Sequence, residues 1–473
     1  MRGGLLAAAS AVALIVGGAA RAETLRDALV QTYNSNPTIM SQRAQVRSLD
    51  ESVAIARAQG RPQVSGVAGI NQNLVRRGGA PGRNVSLGVD VSYDLFNGGR
   101  VRNAVRAADD RVAAGRANLR ATEGDVFTEA VAAYMDVIRD RSIVTLNRNQ
   151  VRVLETNLQA TRDRFEVGDL TRTDVAQSEA RRALAQSALA TAEGRLEGSE
   201  ENYRRVIGEL PDELDPPPPL PALPTTPQQA EDIALANNSD LVAIAAQTRA
   251  ASRDVSIARA DRLPRISGVS SADVANTLGS GPAGVSSQSQ SLGVGLRGSI
   301  PIYQGGLVGA RVRQLQAVQN QFLERGIEIE RLVVANTRAA YASYQAAQEA
   351  IESNQVAVNA NTLALEGTRA EQTVGTRNVL DVLNAEQELL NSQVALVTAR
   401  RDAYVAGFQF LNAMGRAEAE DLNLDGGALY DPVTNYNRVS KRRSDWNEDP
   451  SPVPVSTRTT TGAGISPVTP PTN

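Results

Sequence analysis

Two stretches, Arg100 to about Phe165 and Leu307 to about Gln372, run without a proline and carry helical spacing. In the first, Val151, Leu154, Leu158 and Phe165 follow 3-4 spacing with one gap at Thr161. In the second, Ile351, Val358 and Leu365 recur every seven residues. At 1.5 Å per residue each helix would be roughly 100 Å long. No single globular domain needs that length, so these helices must build something extended.

The two stretches are copies of one unit. Residues 55–67 (IARAQGRPQVSGV) return as 257–269 (IARADRLPRISGV), and Phe96–Gly99 (FNGG) returns as Tyr303–Gly306 (YQGG). Val167 and Gly168, with Asp174 and Val175, return as Val374 and Gly375, with Asp381 and Val382. The landmarks keep their order, as a duplicated structural unit requires. After each long helix the chain returns as another, about Thr171 to Ile207 and Asn378 to Met414. Gly168 and Gly375 therefore mark the tip turns of two helical hairpins. Val379, Leu383, Leu390, Val394 and Val397 form an apolar stripe on the last helix, of the kind that packs coiled coils.

Each half opens with a shorter helix. Asn36 before Pro37 is an N-cap followed by a proline that sacrifices no hydrogen bond at the first helical position. Asn238, Ser239 and Asp240 play the same part later, and Pro62 and Pro264 stop these helices. The period then changes to two. Val85, Leu87, Val89, Val91, Tyr93 and Leu95 alternate with small or polar residues, and Leu292, Val294, Leu296, Ile300 and Ile302 repeat the pattern. With less clearly alternating partners at about 64–75 and 266–278, this gives two hairpins and four strands. Such strands suit a transmembrane β-barrel or a soluble antiparallel sheet. Four strands cannot close a barrel, and open edges are not tolerated in hydrocarbon, so a membrane reading demands that several chains pool their strands. The glycine pairs Gly98, Gly99 and Gly305, Gly306 mark strand-to-helix corners. They lack the spacing and the Lys-Ser/Thr pair of a phosphate-binding loop.

Composition narrows the chemistry. The chain has no Cys and no His, which removes disulfides, thiolate sites, the commonest general base and the commonest metal ligand. An enzyme would have to work with Asp, Glu, Ser, Lys or Tyr, and no paired carboxylates stand out. The formal charge of −3 gives no bulk attraction for nucleic acid. Residues 1–22, with Arg2, an apolar run from Leu5 to Val16 and Ala20 to Ala22 before Glu23, read as a secretory signal peptide. The expected organisation is a first repeat over 23–215, a proline-rich linker over 216–227, a second repeat over 228–415 and a C-terminal extension over 416–473. Periodicity fades beyond Gly415, and the Pro/Thr/Ser-rich tail from about Asp449 reads as disordered.

These features in this order, above all the segment Val374–Asp381 (VGTRNVLD), resemble the TolC family of outer-membrane efflux and secretion channels over about residues 23 to 415. The resemblance implies a mainly α, mixed α and β fold. It implies a homotrimer whose protomers each give four strands to a twelve-stranded transmembrane β-barrel in outer-membrane lipid, above a trimeric α-barrel of coiled-coil helices crossing the periplasm. It implies a periplasmic adaptor (membrane fusion) protein and an inner-membrane ABC or RND transporter as partners, no cofactor and no catalysis. The duct would be passive, serving type I protein secretion, multidrug efflux or both.

The same resemblance assigns roles at the tips. Thr173 and Asp174 in the first half and Arg377 in the second match a polar periplasmic gate, and a gate tyrosine of some members falls on Gln372. Asp381 matches an acidic pore ring, while a second ring position falls on Asn384. Carboxylate rings favour cations. A plainer role competes: Thr171 with Asp174, and Asn378 with Asp381, are also helix-capping pairs. The competing reading of the whole chain is an exported coiled-coil structural or adhesin-like protein.

Overall fold

The computed structural model describes residues 22–72, 83–278, 287–422, 424, 429–456 and 458. All but the last residue of the expected signal peptide lies outside the described residues. So do both hairpin loops and most of the tail beyond 456.

The chain runs α1 (Leu25–Ser35), α2 (Pro37–Ala58), β1 (Gln63–Gln72), β2 (Arg83–Phe96), α3 (Arg100–Glu166) and α4 (Arg172–Ile207). The second half runs α5 (Pro227–Asn237), α6 (Ser239–Ala260), β3 (Arg265–Leu278), β4 (Ser287–Ser299), α7 (Leu307–Thr373) and α8 (Val379–Ala413), followed by α9 (Pro432–Val439). Both long helices have 67 residues, about 100 Å each. Local chemistry sets their neighbours' ends. Asn36 caps α2 by accepting the Thr38 amide at 2.9 Å with Pro37 in the first turn, and Asn238 caps α6 through the Asp240 amide at 2.9 Å. Gly98, Gly99, Gly305 and Gly306 all take left-handed φ between 59° and 82°, which lets the chain turn from strand to helix.

The four strands form one antiparallel sheet in the order β1-β2-β3-β4. Its register gathers the apolar sides. Val89 pairs with Gly66 and Ala272, Ala272 with Leu292, and Leu87 with Ala68 and Val274. The opposite face collects Ser65, Asp90 and Ser271. Leu292, Val294 and Leu296 are exposed in this single chain, and β1 and β4 are free edges. No helix among the described residues is long and apolar enough to cross a membrane.

The main core lies away from the sheet, where α1, α3, α4 and α8 meet. Tyr33, Phe127, Tyr134, Tyr203 and Phe408 are buried there. The Tyr134 hydroxyl shares its proton between the carbonyls of Glu23 and Asp215, tying the two ends of the first half together just before the proline-rich linker. That linker is itself held down: Tyr404 donates to the Pro218 carbonyl and Tyr341 to that of Thr225.

Several details differ from the sequence reading, beginning with the start of each half, where one short helix was expected and the structure has two, α1 with α2 and α5 with α6. The last strand stops at Ser299, leaving Ile300 and Ile302 outside it, because Pro301 has no amide to continue a ladder. Pro227, expected in the linker, is the first residue of α5, where its missing N–H loses nothing. In α3 the buried position is Thr161, not Phe165; its hydroxyl is satisfied by the Asn157 carbonyl one turn back. Finally, the segment after Gly415 is packed and carries α9. Leu424 is buried in the main core, Tyr430 lies over Arg43 and α9 lies along α2.

Arg43 lies within a tyrosine clamp, its guanidinium 4.1 Å from the Tyr33 ring centre and 4.9 Å from that of Tyr430. Beside it is Glu123, 7% exposed, whose carboxyl is pushed up to about 7, mainly by burial and against the pull of Arg43. A carboxyl whose folded pKa lies above its unfolded value stabilises below the unfolded value, and that contribution fades as pH rises through the folded one. Relative to Glu123→Gln, the parent should therefore lose up to about 3 kcal/mol between pH 4.5 and pH 8. Denaturant melts of both proteins across that range check this.

Candidate functional site at the helical tips

The tips are built by two repeats of one local solution. After α3 the Gly168 amide donates to the Phe165 carbonyl at 3.0 Å and the Asp169 amide to that of Arg164 at 2.9 Å. After α7 the Gly375 amide donates to Gln372 and the Thr376 amide to Glu371, both at 3.0 Å. This paired closure needs a left-handed residue, and Gly168 and Gly375 supply φ of 82° and 80°. A side chain added at either meets nothing within 4 Å, so the constraint is conformational, costing about 1–2 kcal/mol for a residue with a Cβ.

The returning helices start with capping boxes. Thr171 donates to the Asp174 carboxylate from its amide at 2.9 Å and its hydroxyl at 2.7 Å, and the Asp174 amide donates back to that hydroxyl. These bonds hold the Asp174 carboxyl below the ordinary carboxylate range. Asn378 caps α8 likewise, accepting the Asp381 amide at 2.8 Å while its own amide donates to Asp381 Oδ2. Each Asp bonds through Oδ2 and keeps Oδ1 unbonded among the described residues, so capping leaves each carboxylate able to engage something outside the chain.

The structure does not bring Arg377 to Thr173 or Asp174 within one chain. Arg377 donates to Glu371 at 2.8 Å, across its own turn. The exposed Thr173 side chain makes no hydrogen bond among the described residues. The first tip has the opposite polarity: Arg164 on the helix pairs with Asp169 in the turn. Gln372 contributes its carbonyl to the turn. Asn384 accepts from Arg181 of α4 at 2.7 Å, so a cation lies directly beside the second ring position.

Besides this Arg181–Asn384 bond, the two hairpins are joined near their tips by a residue the sequence reading missed. Glu386 of α8 is buried, and its carboxylate accepts from Asn157 of α3 at 3.0 Å and from Arg369 of α7 at 2.9 Å. The clue was available: Glu386 falls between Leu383 and Leu390 on the helix face that packs inward.

Comparison with known proteins decides what such a pair of tips belongs to. A sequence profile of the family described as "Outer membrane efflux protein" matches residues 28–209 and 231–416, one segment per half. The chain belongs to this family. It is 37% identical to the outer membrane efflux protein BepC of Brucella suis over 433 residues, covering 91% of this chain and 93% of BepC. It is 26% identical to the outer membrane protein TolC of Escherichia coli, covering 94% and 95% of the two chains. The fold is also that of the Campylobacter jejuni CmeC outer membrane channel, with a TM-score of 0.74, 15% identity and 88% and 89% coverage. As a member of the outer membrane efflux protein family, the chain is a non-enzymatic outer-membrane exit duct, with its helices in the periplasm.

Glu386 offers a test of how the hairpins are coupled. Glu386→Ala leaves Asn157 and Arg369 without their shared acceptor, at a cost of about 1–3 kcal/mol. Hydrogen exchange should accelerate over both tips while amides around Tyr134 stay protected.

Proposed function

We propose that three copies of this chain assemble into one channel, each giving its four strands to a closed twelve-stranded barrel and its long helices to a periplasmic tunnel that ends at the tips. What carries this reading is the open sheet. It has one apolar face and two free edges, and only pairing with other copies removes those edges from hydrocarbon. The helices support it from a second direction: 24 residues of α3 are buried within the single chain but only four of α7, leaving Leu323, Ile327, Leu332, Val356 and Leu363 exposed for neighbours.

The tips act as the gate in this proposal. Each Arg377 exchanges its Glu371 partner for Thr173 and Asp174 of an adjacent copy in the closed state, and the periplasmic adaptor and inner-membrane ABC or RND transporter reverse the exchange. Asp381 provides a single acidic ring. Arg181 beside Asn384 opposes it, so cation preference is weaker than two carboxylate rings would give. Cargo is small molecules, proteins or both; deleting the gene and measuring drug sensitivity beside protein secretion separates them.

Bilayer conductance tests the gate. Arg377→Ala and Asp174→Ala should both raise conductance, whereas Thr171→Ala, which removes the cap and keeps the charge, should leave it near the parent level. Unchanged conductance in both charge variants rejects the gate, and an equal rise in all three assigns Asp174 to capping alone.

For the ring, Asp381→Ala should weaken block of the pore by divalent and trivalent cations. Equal block in variant and parent removes Asp381 from the lumen.

A further inference from the structure

The C-terminal segment lies beyond the part of the chain matched by the family profile, which ends at residue 416. It forms a strap with a direction. Asn435 donates to Asp50, Arg57 donates to the Ser440 carbonyl, and Arg61 donates to the Arg442 carbonyl at 2.8 Å. Asp50, Arg57 and Arg61 succeed one another along α2 and the turn after it, a climb of roughly 16 Å at helical rise. The strap therefore runs alongside α2 toward the sheet and reaches the level of Arg61, two residues before β1 begins.

At that level the chain makes a closed loop. Asp449 turns back to pair with Arg438 at 2.7 Å and Arg442 at 2.9 Å, so residues 443–448 are held out between their ends. At the middle stands Trp446, the only tryptophan of the protein, 95% exposed. Lys441, the only lysine, and Arg443 are exposed beside it and make no ion pair among the described residues. Asp445 and Glu448 bring the loop itself close to neutrality; the excess positive charge comes from the corner it adjoins. The four segments joining helices to strands, 57–62, 97–106, 257–265 and 303–313, hold ten arginines and one carboxylate, Asp261, in a chain whose net charge is −3. Arg102 and Arg106, in the first two turns of α3, are exposed and likewise without an ion pair among the described residues.

We propose that this strap is an interfacial anchor. Trp446 inserts at the headgroup level of the membrane leaflet facing the helical tunnel, while Lys441, Arg443, Arg102 and Arg106 bind phosphates of anionic glycerophospholipids there. Three observations point the same way: the loop sits at the foot of the sheet, it carries exposed Lys441 and Arg443 without an ion pair among the described residues, and an indole is the side chain whose apolar body and N–H suit that boundary. A protein partner would not require arginine to outnumber carboxylate ten to one across four separate helix–strand segments. The inference rests on the sheet being embedded in the membrane, and it adds an attachment outside the barrel that can hold the tunnel's axis against tilting.

The lone tryptophan makes the unaltered full chain its own probe. The trimer is reconstituted into vesicles of phosphatidylethanolamine with phosphatidylglycerol, and ion conductance first verifies insertion. The expected result is that Trp446 emission shifts to the blue, is quenched by lipids brominated near the head of the acyl chain, and is shielded from acrylamide. Lys441→Glu combined with Arg443→Glu should restore much of the acrylamide quenching. In conducting vesicles, emission that stays open to acrylamide and blind to brominated lipid overturns the anchor. So does shielding from acrylamide without quenching by brominated lipid, which is the mark of a protein contact, and so does equal quenching in vesicles of phosphatidylcholine alone. Vesicles that never conduct count against the channel reading instead.

Discussion

A strand edge is a row of unpaired main-chain donors and acceptors, and hydrocarbon offers them nothing. This chain has two such edges, on β1 and β4, at the ends of a sheet whose apolar face gathers Val89, Leu87, Val274 and Leu292. Lipid accepts that face but not those edges. Nearly every other feature answers this one demand. The two halves place two hairpins side by side in one sheet, and a flank of α7 leaves large apolar side chains exposed in the single chain. The largest core of the chain lies where α1, α3, α4 and α8 meet, and not in the sheet or at the tips.

Duplication did not make the halves equivalent. Their turns close with the same two amide bonds and the same left-handed glycines, because that geometry depends on backbone alone. Their charges diverged. One tip pairs Arg164 with Asp169, the other Glu371 with Arg377, and one capping acid is held by a threonine while the other is held by an asparagine. A repeated scaffold with unlike side chains gives each chain two tips of different chemistry. Each Asp bonds its cap through Oδ2, which leaves Oδ1 unbonded among the described residues.

The C-terminal strap shows a different use of the same scaffold. Residues 429–449 have little periodicity of their own, yet Tyr430, Asn435, Tyr436 and Ser440 find partners on α2 and α3 more than 300 positions earlier in the chain. Arg43 between Tyr33 and Tyr430, with Glu123 beside it, makes this junction sensitive to protonation as well as to packing.

The sequence by itself determined the four hairpin helices α3, α4, α7 and α8, whose ends fall within a residue or two of the expected positions, as do the start of β1 and both ends of β2 and β3, but it did not show α1, α5 or α9. Those signals are local: an asparagine before a proline, a threonine three residues before an aspartate, a glycine that alone tolerates φ near 80°, and alternation that only a strand can use. The order of the duplicated landmarks, above all the segment around Gly375, resembled the family that the profile then matched. Tertiary structure alone decided who meets whom. Glu386 reaches Asn157 across 229 positions, Arg377 turns to Glu371 and not to Asp174, Arg181 places a cation beside Asn384, and the tail folds back as a strap. Such pairings depend on the azimuth at which long helices pack. An error of one residue in that azimuth, about 100°, sends a side chain to a different neighbour while leaving every local signal unchanged.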